Sequence, residues 1–152
     1  MVADCYSGWL TIYYLKPGEA NHTTLINIFR NLFVDFGVPD EISSDGGSQF
    51  IANDFQAFLN RWGVKHRLSS AEYPKSNGRA EVAVKSAKRI IYGNAKSDGS
   101  LNNDAAARAL LQYRNTPLQN CKLSPAQILF HRQLKDTIPI HSTINFTLNG
   151  SP

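Results

Sequence analysis

Cysteine is nearly absent from this 152-residue sequence: the two present, Cys5 and Cys121, lie far apart and form no CxxC. That spacing excludes a disulfide framework or a zinc knuckle and favours free thiols in a reducing compartment. No apolar run approaches the roughly 20 residues a membrane-spanning helix needs. No basic stretch leads into an apolar one after Met1, so no signal peptide is expected, and an intracellular protein with no membrane partner is. Histidine is sparse too: His22, His66, His131 and His141 stand alone, match no His/Cys zinc pair, and read as surface or core residues. No internal repeat or low-complexity tract is found. Charged residues make up 18% and hydrophobic ones 42%, which excludes disorder and suits one domain with a real core.

The charge is unevenly placed. Residues 1–60 carry two basic and seven acidic side chains, whereas residues 61–96 carry nine basic ones opposed by Glu72 and Glu81 alone. A basic band beside an acidic first third is what a polyanion-binding surface near a carboxylate cluster looks like, and also what an ordinary solvated face looks like.

Val2–Cys5 and the run from Trp9 to Leu15 are rich in β-formers, with Tyr6-Ser7-Gly8 as a turn between them: a hairpin. Leu25, Ile28, Phe29, Leu32, Phe33 and Phe36 recur at helical spacing until Gly37 and Pro39 stop the helix. A short strand, Glu41–Ser44, runs into Asp45-Gly46-Gly47. Phe55, Phe58, Leu59 and Trp62 trace a second helix, and Val64–Leu68 another strand. Residues 69–78 are polar and read as a mobile loop. A long basic helix follows from about Arg79 to Tyr92, then a helix over Asp104–Tyr113 capped by Asn102 or Asn103, then a short one opened by Ser124-Pro125. The order β-β-α-β-α-β-α-α implies an α/β domain, a mixed sheet with flanking helices, over residues 1–138, with residues 139–152 as a tail.

Two carboxylates are placed for chemistry. Asp45 lies where a strand runs out into a Gly-Gly turn, at the strand end where open α/β sheets bind ligands. Glu81 lies in the first turn of the basic helix, and Lys85, Lys88 and Arg89 follow it at i+4, i+7 and i+8 on one face. Hard carboxylate oxygens suit Mg²⁺ or Mn²⁺, and lysines beyond them suit phosphate. Each feature also has a plain structural reading: an aspartate in a turn, a glutamate at a helix N-terminus, an i, i+4 ion pair.

Several collinear motifs sharpen the choice. Ser44-Asp45-Gly46-Gly47-Ser48-Gln49-Phe50 resembles the second-aspartate motif of retroviral and retrotransposon integrases, and Tyr73-Pro74-Lys75-Ser76-Asn77-Gly78-Arg79-Ala80-Glu81 resembles their glutamate motif. The 35 residues between Asp45 and Glu81 match the family's spacing. Phe36-Gly37-Val38-Pro39, Trp62-Gly63-Val64-Lys65-His66 and Tyr113-Arg114-Asn115-Thr116-Pro117 also fit, as do Ser124-Pro125-Ala126 and Leu129-Phe130; the downstream block is similar to gypsy-type elements. The resemblance covers roughly residues 2–138. It implies a ribonuclease-H-like catalytic core for DNA 3′-processing and strand transfer. Asp45 and Glu81 would be two of three ligands to Mg²⁺ or Mn²⁺. Asn77, Arg79, Lys85 and Lys88 would contact DNA. The implied partners are DNA and other copies of the chain, with no small-molecule substrate, and the implied place of action is the nucleus.

The same resemblance marks a gap. Val2-Ala3-Asp4-Cys5-Tyr6-Ser7-Gly8-Trp9 is similar to the family's second strand and turn, so Asp4 is not expected to be the first catalytic aspartate. That aspartate belongs to the strand before, the central one in the sheet, which is expected to be missing here, leaving two ladders short of a partner. With two carboxylates the chain is expected to be a poor or inactive catalyst alone, and whether it is an enzyme stays open. The alternative is a non-catalytic nucleic-acid-binding or dimerisation remnant of a decayed or domesticated element. A true ribonuclease H is disfavoured by the long basic helix bearing the glutamate.

Overall fold

Caps and turn residues divide the chain into short elements. The computed structural model describes residues 1–69, 78–119 and 121–137, with 78–80 as backbone only. In chain order they form β1 (Val2–Ala3), β2 (Leu10–Thr11), α1 (His22–Phe36), β3 (Glu41–Ser44), α2 (Ser48–Ile51), α3 (Asn53–Arg61), β4 (Lys65–Leu68), α4 (Gly78–Gly93), α5 (Asn103–Asn115) and α6 (Pro125–Phe130). They group into two compact units, residues 14–75 and residues 1–13 with 76 onward.

The unit of residues 14–75 is built on aromatic rings. Asn21 starts α1 by accepting the Thr24 N–H at 3.0 Å. Gly37 ends it at φ 88°, a conformation that strains any side chain. Between these caps, helical spacing puts Phe29 and Phe33 on the buried face, against Phe55, Phe58 and Leu59 of α3. Phe33 and Phe58 lie stacked at 5.6 Å, and Phe29 meets Phe55 at 5.7 Å. Each fully buried ring contributes about 1.5–3 kcal/mol of transfer free energy. β3 and β4 pair in parallel, Glu41 opposite Lys65 through Ser44 opposite Leu68. Parallel strands need a crossover, and α2 and α3 supply it.

The other unit is built on small side chains. β1 and β2 form an antiparallel pair, Val2 opposite Thr11 and Ala3 opposite Leu10. Leu10 is fully buried with Ala83 and Ala87 of α4, and Ala3, Ile12, Leu110 and Tyr113 close around them. Side chains of α5 then fasten the hairpin by its backbone. The Tyr113 hydroxyl donates to the Gly8 carbonyl at 2.7 Å. Arg114 donates from Nε and Nη2 to the Leu10 carbonyl at 3.0 and 2.7 Å, with its guanidinium 4.0 Å from the Trp9 ring centre. Burial lowers the Arg114 pKa to about 10. α5 is capped by Asn102, and α6 opens on a capping box of Ser124 and Gln127 with Pro125 in its first turn.

Two features differ from the sequence expectation, the length of β2 and the presence of α2, and the sheet accords with it. The β-rich run Trp9–Leu15 yields a strand only at Leu10–Thr11, because β1 offers two residues to pair with. The mixed sheet expected to lack its central strand is, among the described residues, two two-stranded ladders, one antiparallel and one parallel. β-propensity reports a half-buried surface, and pairing needs a partner in register. The one-turn helix α2 has no counterpart in the sequence reading, since four residues cannot show a period. The expected loop at 69–78 and the tail at 139–152 fall almost wholly outside the described residues. No described helix is long and apolar enough to cross a membrane.

Candidate functional site

Asp45 follows β3 directly and is exposed. Its Oδ1 accepts the Gly47 N–H at 3.0 Å, so the carboxylate shapes the turn that carries it. A Cβ on Gly47 would come within 2.8 Å of the Gln49 side-chain amide, a flexible group able to move aside, and 3.0 Å of Asp45 Oδ1. Behind this turn lies a chain of side chains. Ser44 Oγ donates to the Asp45 carbonyl at 2.9 Å and lies 2.8 Å from His66 Nε2. His66 Nδ1 lies 2.7 Å from Gln56 Nε2, which also donates to the Phe50 carbonyl at 2.7 Å. The Phe55 ring meets the imidazole edge to face at 6.0 Å.

Glu81 stands in the first turn of α4, exposed, and Lys85, Lys88 and Arg89 are exposed with it. Ala83, Ala87 and Ile90 of the same helix are buried. The expected split between a charged stripe and a packed face is therefore present, and Glu81, Lys85 and Lys88 come together on one side of one helix. Arg79 lies within α4 by its backbone, and Asn77 lies outside the described residues. Asp45 belongs to one unit and Glu81 to the other. Among the described residues no group of three or more His, Cys, Asp or Glu gathers as a metal site. Asp45 and Glu81 are each an exposed carboxylate, and carboxylate oxygen is a donor whose chemistry fits a hard divalent cation.

Asp4 has a different occupation. Its carboxylate accepts the N–H of Tyr6 at 3.3 Å, the N–H of Ser7 at 2.9 Å and the Ser7 hydroxyl, all within the β1–β2 turn. Sequence reasoning missed the roles of His66, Gln56 and Arg114. Nothing local to His66 reveals that parallel pairing places it beside the strand ending at Asp45; that signal lies in the register.

Comparison with known proteins adds a family. Residues 1–74 match the integrase core domain model. An uncharacterized protein of Caenorhabditis elegans is 35% identical over 118 residues, 77% of this chain and 9% of that protein. The Pol polyprotein of feline endogenous virus ECE1 is 30% identical over 128 residues, 84% of this chain and 12% of the polyprotein. The chain thus spans about a tenth of the curated relatives it matches. Among solved structures, the simian T-cell lymphotropic virus intasome in complex with PP2A regulatory subunit B56 gamma superposes with a TM-score of 0.68 at 19% identity, covering 97% of this chain and 52% of that one. The HTLV-2 integrase catalytic core domain, in complex with magnesium and in dimeric form, gives 0.62 at 19% identity, covering 86% and 81%. The fold is that of an integrase catalytic core, ribonuclease-H-like and α/β.

Proposed function

The chain belongs to the integrase core family of retroviruses and retrotransposons, and from that premise we propose that it takes part in metal-dependent DNA 3′-processing and strand transfer. The observation that carries this reading is the exposed stripe of α4, with Glu81 followed by Lys85, Lys88 and Arg89. Asp45 and Glu81 would hold Mg²⁺ or Mn²⁺, which supplies charge neutralisation at a scissile phosphate. Lys85 and Lys88, with Arg79, neutralise and position DNA phosphates, and Asn77 contacts the DNA, without reading sequence. Self-association is part of the proposal, in line with the dimeric form of the HTLV-2 core, as is an intracellular, nuclear place of action.

Two carboxylates hold a pair of divalent ions weakly, and Asp4 is committed to its own turn. Residues 1–152 alone are therefore a poor or inactive catalyst that binds DNA. The test is strand transfer on oligonucleotides with Mn²⁺, beside a DNA-binding titration. The expected result is salt-sensitive binding with little joining; robust joining abolished by Asp45→Asn would overturn the inactivity. The hydrogen bond from Gly47 to Asp45 favours a second reading, in which Asp45 is only a turn residue and the chain a non-catalytic nucleic-acid-binding or dimerisation module. Absence of both metal binding and joining, with DNA binding intact, selects it.

A further inference from the structure

The hydrogen bonds behind Asp45 have a direction that one backbone atom decides. The Phe50 carbonyl only accepts, so the atom of Gln56 facing it at 2.7 Å is the amide nitrogen. The second N–H of that amide then faces His66 Nδ1 at 2.7 Å, which must be a bare acceptor. A neutral imidazole with a bare Nδ1 carries its proton on Nε2, 2.8 Å from Ser44 Oγ. Ser44 in turn spends its only proton on the Asp45 carbonyl at 2.9 Å, so its oxygen is free to accept from His66. Every donor has one acceptor, and the chain runs one way, from Gln56 through His66 and Ser44 to the backbone of Asp45.

We propose that Gln56, His66 and Ser44 are positioning residues that lock His66 as the neutral Nε2–H tautomer and thereby hold the Asp45 turn in the geometry its carboxylate needs. The purpose of the relay rests on Asp45 being a metal ligand; its existence does not. The relay joins α3 and β4 to the end of β3, so the strand-end aspartate takes its rigidity from the aromatic core through Phe55, which packs on the imidazole. Bonds aligned in this way strengthen one another, and a half-satisfied member weakens the rest.

The test uses the whole 152-residue chain. Long-range proton–nitrogen spectra read the tautomer of His66 directly: Nε2 protonated and Nδ1 bare is expected, and a proton on Nδ1 overturns the relay. Amide exchange of Gly47 reads the turn. Ser44→Ala is expected to speed it about 5-fold, the loss of one ordinary hydrogen bond, while the global unfolding midpoint hardly moves; Ser44→Thr, which keeps the hydroxyl, restores it. Unchanged exchange in Ser44→Ala overturns the relay. Broadening of amides 45–47 by Mn²⁺ reads the coupling to metal: it should weaken several-fold in Ser44→Ala, recover in Ser44→Thr and vanish in Asp45→Asn. If the parent chain shows no such broadening, Asp45 is no metal ligand and the proposed function fails at that point, whereas the tautomer and Gly47 exchange still decide the relay.

Discussion

The two compact units are held by different kinds of contact. Residues 14–75 interlock large rings, with Phe55 and Phe58 fully buried and Phe33 stacked against Phe58. The other unit has alanines at its centre and is fastened by Tyr113 and Arg114 to carbonyls of the β1–β2 hairpin. Charge divides the same way: six basic and seven acidic side chains in residues 14–75, ten and five in the remainder. The strand-end carboxylate thus stands on a nearly neutral aromatic platform. The basic helix stands on a small-residue seam that leaves its long cationic side chains to solvent.

That contrast breaks most visibly in the aromatic unit. Phe58→Ala removes a fully buried ring and should cost about 3–5 kcal/mol in chemical denaturation. A loss below about 1 kcal/mol would mean that the ring cluster does not carry that unit. The second largest effect belongs to the hairpin. Gly8 sits at φ 75°, and a Cβ there would lie 2.5 Å from Leu118 Cδ1. Gly8→Ala combines backbone strain with overpacking and should cost about 3 kcal/mol. Adding Leu118→Ala removes the clash and leaves the strain, so the double variant should lose less than the sum of the singles. Strict additivity would sink the claim that close approach, rather than φ alone, requires this glycine.

How much of this was legible in sequence follows the range of the cause. Helices came through because period, cap and stop are local: Gly37, Asn102 and the Ser124-Pro125 start all stand where the sequence places them, whereas the Asn21 cap shows only in the structure. The charged stripe of α4 was legible for the same reason. The β1–β2 hairpin was legible from its local turn, but its extent was not, since a run rich in Tyr, Trp and Ile yielded two paired residues. Nor was the β3–β4 pairing, which depends on a partner more distant in sequence. His66 shows the limit in the site itself: as a lone histidine it signals nothing, and only the register opposite Ile42 brings it to Ser44. Arg114 lies 104 residues from the carbonyl it binds, far beyond any periodic signal.

The functional half of the comparison is tested at α4. Lys85→Glu with Lys88→Glu should weaken DNA binding about tenfold or more across all sequences and lower the salt slope by about two. The same reversal at exposed Lys16, in the nearly neutral unit, should change affinity little. Equal effects at both places would show that net charge, rather than the α4 stripe, attracts the polyanion.

The smallest expected effect sharpens the picture of the hairpin fastening. Tyr113→Phe deletes the hydrogen bond to the Gly8 carbonyl and should cost about 1 kcal/mol near neutral pH. Burial raises the Tyr113 phenol above its usual value of 10.0. The folded chain therefore holds this proton where the unfolded chain has released it. The contribution is intact below about pH 10 and is lost as pH rises from there through the raised folded-state value. Denaturation midpoints followed from neutral to about pH 11 should fall more steeply for the parent than for Tyr113→Phe, which has no phenol to ionise at that site. Parallel alkaline limbs would show that the phenol is not what fastens the turn, leaving Arg114 on the Leu10 carbonyl as the contact that does.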